Sequence, residues 1–249
     1  MAAGKPARGY NPPAGFHSAC GNASKVNTEN RSAASAASGS GLFIVLEGAE
    51  GSGKSTQARL LAEWLETHGF PSIATREPGG TAVGEEIRQV VLHGRDMPAA
   101  AELLLYNAAR AVFVAEIVRP ALAAGKIVLA DRFWLSSLAY QGYGRGLPLD
   151  EVQAICEFAA GGLRPDLTIV LDVPVHMGEA RRAARSGPDR IERESLAFHE
   201  RVAEAYRLLP ERIPGIVRIS GNGTVDEVQG RIRAVLAEKL PEPFARPLG

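Results

Sequence analysis

One octapeptide restricts this chain more than any other feature. Gly48-Ala-Glu-Gly-Ser-Gly-Lys54-Ser55 matches G-x-x-x-x-G-K-[ST] in full and is followed by Thr56. It lies between an apolar run, Leu42-Phe-Ile-Val-Leu46, and an amphipathic stretch from Lys54 to about Thr67 that stops before Gly69 and Pro71. In that strand–turn–helix setting, glycines let the backbone curl so that successive N–H groups face phosphate oxygens beside the positive end of a helix dipole. Gly48, Ala49, Glu50, Gly51, Ser52, Gly53, Lys54, Ser55 and Thr56 are therefore the expected cradle for the phosphates of ATP or a similar nucleotide. Lys54 is placed to reach the β- and γ-phosphates, and the Ser55 hydroxyl to ligate Mg2+.

The remaining pattern supplies the sheet such a loop requires. Short apolar runs recur at Ser72–Thr75, Ile127–Ala130, Leu167–Leu171 and Ile216–Ile219. Helical stretches separate them, among them 82–92 and 99–119, the latter expected to end at Pro120. Strands alternating with helices predict an α/β fold: a five-stranded parallel sheet with helices on both faces. The packed domain is expected over residues 41–240, with 241–249 as a C-terminal tail. Residues 1–40 are rich in Ala, Gly, Ser, Asn and Pro and contain few bulky apolar side chains, so the segment reads as a disordered low-complexity extension.

Charge and cysteine usage narrow the class. Lys+Arg 28 against Asp+Glu 28 leaves no formal net charge, so phosphate recognition must be local and no nucleic-acid partner is expected. Cys20 and Cys156 form no C-x-x-C pair, which excludes a disulfide framework and fits a reducing compartment. No uninterrupted apolar stretch approaches the roughly 18 residues of a membrane span, so no membrane partner is expected and the expected location is cytoplasmic.

A phosphate-binding loop alone leaves switches, motors, ATPases and kinases open. Neither D-x-x-G nor N-K-x-D occurs, which argues against a common GTPase. Asp131, closing the run Ile127-Val-Leu-Ala-Asp131, is placed as the acid that associates with Mg2+, and equally as an N-cap for the segment after it. Arg132 shares that carboxyl edge of the sheet and is a candidate for an acceptor's phosphate. A small kinase is the natural residual reading.

Three further strings go beyond a generic loop. Thr75-Arg76-Glu77-Pro78-Gly79-Gly80-Thr81, Asp131-Arg132-Phe133 and Ser136-Ser137-Leu-Ala-Tyr140-Gln141-Gly142 resemble thymidylate kinase, with elements in that family's order from about Leu42 to about Leu240. The resemblance implies the P-loop nucleoside monophosphate kinase fold, a short lid, and transfer of the γ-phosphoryl group of MgATP to dTMP. It makes Tyr106 and Arg110 one wall of the dTMP pocket, with the ring stacked on the base and the guanidinium donating to its O4. The family usually carries Phe where Tyr106 stands, and an ordinary core Tyr with a surface Arg is the bland alternative. Arg76 and Arg132 match residues that hold the dTMP phosphate, while Ser137, Tyr140 and Gln141 match positions lining base and sugar. The bulk of Tyr140 disfavours a ribose 2′-hydroxyl. Glu50 matches the acid that meets the sugar 3′-hydroxyl, and Pro78 a pocket-shaping proline whose isomer stays open.

Some thymidylate kinases carry a catalytic Arg where this chain has Gly51, and others supply it from a lid. Residues 179–193, with Arg181, Arg182, Arg185 and Arg190 around Gly187-Pro188, look like the second kind, although a solvated basic helix end has the same composition. Catalytic duty is thus expected of Lys54, Arg132 and the lid arginines, Arg185 first, Arg181 second and Arg190 after them. Because the acceptor oxygen already belongs to a phosphate, no general base is needed. The family also implies a homodimer, through apolar helices near 99–119 and 132–142. Two alternatives stay open at this point: another nucleoside monophosphate kinase, and a P-loop ATP-binding regulatory protein.

Overall fold

Every residue of β1 (Phe43–Glu47) is buried, so the strand must be covered on both faces. Its alternate side chains divide accordingly. Phe43 and Val45 join Phe113, Val118, Val128, Ala130 and Phe133 on one face. Ile44 and Leu46 join Leu61, Leu65, Leu129, Ile169 and Ile232 on the other. Burying each such side chain contributes about 1.5–3 kcal/mol, which is why the strand and the loop after it are held rigidly.

The computed structural model describes residues 41–183 and 187–244. The extension expected over 1–40 and most of the expected tail lie outside them. The sheet has five parallel strands in the order β2-β3-β1-β4-β5. The others are β2 (Ser72–Arg76), β3 (Ile127–Asp131), β4 (Leu167–Asp172) and β5 (Ile216–Ser220). One face carries α1 (Lys54–Thr67) and α9 (Val225–Lys239). Packed on the other side are α2 (Ala82–His93), α3 (Ala99–Phe113), α6 (Leu149–Ala159) and α8 (Leu196–Arg212). Register aligns the strand ends: Leu46 and Arg76 both lie opposite Asp131. The chain crosses from one side of β1 to the other at this carboxyl edge, the place where open α/β sheets bind ligands.

The helix expected to stop at Pro120 does not stop there. After α3 the chain runs through a π-helical turn, Val114–Val118, into α4 (Arg119–Ala123), with Pro120 in the first turn of α4. The wider turn removes the demand for the N–H that proline lacks, so the break becomes a change of pitch. A second π-helical segment, Leu138–Gly144, follows the short α5 (Trp134–Ser137), and all of its residues are buried. Residues 132–142 are therefore largely interior and offer little free face of the kind expected for a homodimer. The chain also packs beyond residue 240: α10 (Pro241–Phe244) buries Phe244 against Phe70 at 5.2 Å between ring centroids. After β4 comes α7 (Val175–Ala183), the root of the expected lid. The Glu77–Pro78 bond is cis.

Candidate active site

The donor side is built largely from backbone. Gly48, Gly51 and Gly53 have φ of 143°, 71° and 96°, a curl closed to most side chains. Lys54 folds back into it, its Nζ donating to the carbonyls of Gly48 (3.0 Å) and Ala49 (2.8 Å) and to Ser52 Oγ (3.2 Å). Burial, reinforced by the nearby Arg132 cation, lowers its ammonium to about 8. Ser55 Oγ donates to Asp131 Oδ2 at 2.5 Å.

Arg132 is the junction between the two halves of the cleft. It has φ of 76°, an unusual conformation for a non-glycine residue. One terminal nitrogen donates to Gly48 O, Ser136 Oγ and Tyr206 Oη at 3.1–3.2 Å, and the other to Glu50 Oε1 at 2.8 Å and Tyr140 Oη at 3.1 Å. The Tyr140 hydroxyl in turn donates to Glu50 Oε2. Burial works to raise the Glu50 carboxyl, but the charges of Arg132 and Lys54 prevail and keep it below the usual carboxylate range.

The turn that carries Arg132 is held by Glu47, a residue sequence reasoning passed over. Its carboxylate is wholly buried. Oε1 accepts from the Phe133 N–H (2.8 Å) and the Ser136 N–H (3.2 Å), and Oε2 from Ser136 Oγ (2.7 Å) and Tyr206 Oη (2.9 Å). Glu47 thus organises the turn that carries Arg132 across the edge. The signal was present: a carboxylate ending a buried apolar strand demands donors.

On the acceptor side, Glu50, Arg76, Tyr106, Arg110, Arg132, Ser137, Tyr140 and Gln141 all line one cavity, which opens onto Lys54, Ser55 and Asp131. Arg110 is 2% exposed. Its Nε donates to Glu77 Oε2 (2.9 Å), Nη1 contacts Asn107 Oδ1 (2.7 Å) and Ser137 Oγ (3.2 Å), and Nη2 donates to Phe133 O (3.1 Å). One Nη2 N–H is left for the cavity. So Arg110 is no surface arginine. Burial pushes the Glu77 carboxyl up to about 7, against the pull of Arg110. The Tyr106 hydroxyl makes no hydrogen bond to the described residues, and burial pushes its pKa above the ordinary phenol range, so it stays protonated. Arg76 pairs with Glu85 at 2.8 Å near the rim. Arg88, also unforeseen, lines the cavity and donates to Pro78 O at 2.9 Å.

Of the expected lid arginines, Arg181 in α7 donates from Nη1 to the Gly51 carbonyl at 3.2 Å. Arg190 is buried instead, donating to Val91 O (2.9 Å) and paired with Glu102 (2.7 Å), so it braces the fold behind the cavity. Arg185 lies outside the described residues.

The pattern of the family described as thymidylate kinase matches residues 46–232. The chain belongs to the thymidylate kinase family. Thymidylate kinase of Synechococcus sp. (strain JA-2-3B'a(2-13)) is 49% identical over 201 residues, 80% of this chain and 96% of that one. That of Syntrophotalea carbinolica is 48% identical over 210 residues, 81% and 97% of the two chains. Thymidylate kinase of Halothermothrix orenii is 54% identical over 175 residues, 69% and 84%.

A thymidylate kinase requires a place for Mg2+ beside the ATP phosphates, and the residues fit one. Asp131 Oδ1 is buried without a hydrogen-bond partner, while Oδ2 holds the Ser55 hydroxyl. That is a hard oxygen pair with one acceptor atom uncommitted, the donor chemistry suited to this ion. Among the described residues, no helix is long and apolar enough to cross a membrane.

Proposed function

We propose that this cavity is where the chain phosphorylates dTMP with MgATP, giving dTDP and ADP, the reaction of its family. The observation that carries the reading is the convergence at Arg132, which joins the phosphate loop at Gly48 O to the acceptor-side Glu50 and Tyr140. ATP phosphates occupy the loop of residues 48–56, and dTMP lies between Tyr106 and the Arg132–Glu50–Tyr140 group. Tyr106 stacks on the base, and Arg110 gives its uncommitted N–H to O4. Arg76 and Arg132 hold the acceptor phosphate, and Glu50 meets the 3′-hydroxyl.

In the transfer, an oxygen of the dTMP phosphate attacks the γ-phosphorus while the bond to the β,γ-bridging oxygen breaks and ADP leaves. The acceptor is largely dianionic near neutral pH, its second pKa being about 6, so no residue must remove a proton. Lys54 leaves the loop carbonyls to follow the γ-phosphoryl charge. Arg132 sets the acceptor in line, and Arg181 is close enough to the loop to offset charge that develops there. Mg2+, held through Ser55 and Asp131, would neutralise charge on the β- and γ-phosphates.

The lid-arginine form of the enzyme is supported by sterics at Gly51. A Cβ there would lie 2.3 Å from Gly178 O and 2.8 Å from Gly178 Cα, so α7 leaves no room for a side chain. An apolar surface suited to a second copy is supplied by Phe158 (89% exposed) on α6 and by Leu104 (57%) on α3. A cytoplasmic setting suits the free, buried Cys156.

The deciding experiment is an ADP-release assay with MgATP and dTMP, AMP, GMP, CMP and UMP as acceptors. Strong preference for dTMP is expected. Preference for another monophosphate would overturn the base-pocket assignment, and turnover independent of any acceptor would overturn the kinase reading.

A further inference from the structure

Behind the cavity lies a buried ionic cluster that the phosphoryl transfer does not use. Glu102 on α3 is fully buried. Arg145 Nη2 (3.0 Å) and Arg190 Nη1 (2.7 Å) donate to its Oε2. Arg145 Nε (3.2 Å) and Gln141 Nε2 (2.7 Å) donate to its Oε1. Burial works to raise this carboxyl, but the hydrogen bonds from Arg145 and Gln141 outweigh it and keep the group ionised. An ionised carboxylate only accepts, so the atom of Gln141 that meets it must be the amide nitrogen. Gln141 lines the cavity, and among the described residues nothing donates a hydrogen bond to its Oε1. With Nε2 held at Glu102, the end of the amide it leaves uncommitted is the carbonyl, an acceptor.

We propose that Glu102 is a specificity-determining positioning residue: by holding Gln141 Nε2, it turns the Gln141 carbonyl toward the base and so selects a pyrimidine with an N3–H donor. This rests on the assignment of the base to the Tyr106–Arg110 pocket. Thymine offers an acceptor at O4 and a donor at N3 along one edge, and the free N–H of Arg110 beside the Gln141 carbonyl is the complementary pair. Cytosine offers the reverse, a donor at N4 and an acceptor at N3, and would leave buried groups facing their own kind. An unrestrained glutamine could rotate by half a turn and serve either base. The carboxylate removes that choice.

The substitution Glu102→Gln tests this. Its amide has one acceptor atom, which the two guanidinium groups at the Oε2 side claim, leaving an NH2 opposite Gln141 and reversing that amide. The ratio of kcat/KM for dTMP to that for dCMP is expected to fall at least about tenfold. Gln141→Met should lower it similarly, and the double variant should be no less selective than Gln141→Met alone, because Glu102 acts through Gln141. Glu194→Gln, which removes the Arg145–Glu194 pair (2.6 Å) without touching Gln141, should keep the ratio. Should Glu102→Gln fail to fold, the natural protein still decides: N3-methyl-dTMP should be a poorer acceptor than dTMP by at least about tenfold. An unchanged dTMP:dCMP ratio in folded Glu102→Gln, an additive double variant, or equal use of the N3-methylated acceptor would each overturn the proposal. Failure of the underlying pocket assignment is separately visible, as a Tyr106→Ala variant whose KM for dTMP does not change.

Discussion

The donor and acceptor halves of the cleft are made differently. The donor side is one contiguous loop, whose glycine backbone and single lysine need only a strand before and a helix after. The acceptor side is lined by side chains from β2–α2, α3 and the segment following β3, and those that matter most are fixed by partners distant in sequence: Arg110 by Glu77, Gln141 by Glu102, Arg132 by Glu50. A backbone grip tolerates many substitutions around it, because main-chain N–H groups are common to all residues. A side-chain pocket is as exact as its buried partners, and it fails when one of them is lost.

The sharpest break in that contrast is expected at Arg181, the arginine of α7 that reaches the loop at Gly51. Arg181→Ala should lower kcat by about 10³-fold or more with little change in KM for either substrate, because the charge it offsets develops only during transfer. Steady-state kinetics check this; nearly unchanged kcat would move the role to Arg185. Next in size is Glu47→Ala. It strands the Phe133 and Ser136 N–H groups and removes one acceptor from the Tyr206 hydroxyl, and should cost about 3 kcal/mol or more of stability. A denaturant midpoint would register it, and survival at the natural midpoint would show the turn to be held otherwise.

Smaller effects sharpen the comparison. Tyr106→Ala should raise KM for dTMP about tenfold while KM for ATP stays put, whereas Tyr106→Phe should behave like the natural protein, since the hydroxyl bonds to none of the described residues. On the donor side, Lys54 titrates near 8 before ATP arrives, and the triphosphate charge raises that value once bound. The bound state then holds the proton more firmly, so ATP affinity is complete below about pH 8 and weakens as pH rises through it. Calorimetry at pH 8.5 in buffers of different ionisation enthalpy should show proton uptake, and Lys54→Met should abolish it.

Legibility in the sequence follows the same division. The strands, the loop, Asp131 and Arg132 stand out because local spacing alone defines them. Glu47 and Glu102 did not stand out as functional, although buried carboxylates in apolar surroundings are themselves a signal; their donors sit 39 to 159 positions away, and no periodicity pairs them. Arg190 read as a lid arginine because composition cannot tell a solvent-facing guanidinium from one that closes a buried cluster. Pro120 read as a helix stop because a π turn leaves no mark in the residue pattern.

The contact between Gly51 and Gly178 bears on how such enzymes diverge. An arginine entering the loop at position 51 meets the α7 backbone before it can reach a phosphate, whatever its chemical merit there. An arginine at position 51 would therefore need a coordinated change in α7, far away in the gene, which is a barrier to gaining it one substitution at a time. Lineages on either side of that barrier should keep their arrangement over long descent, and a glycine in the loop should travel with a glycine in the helix it touches.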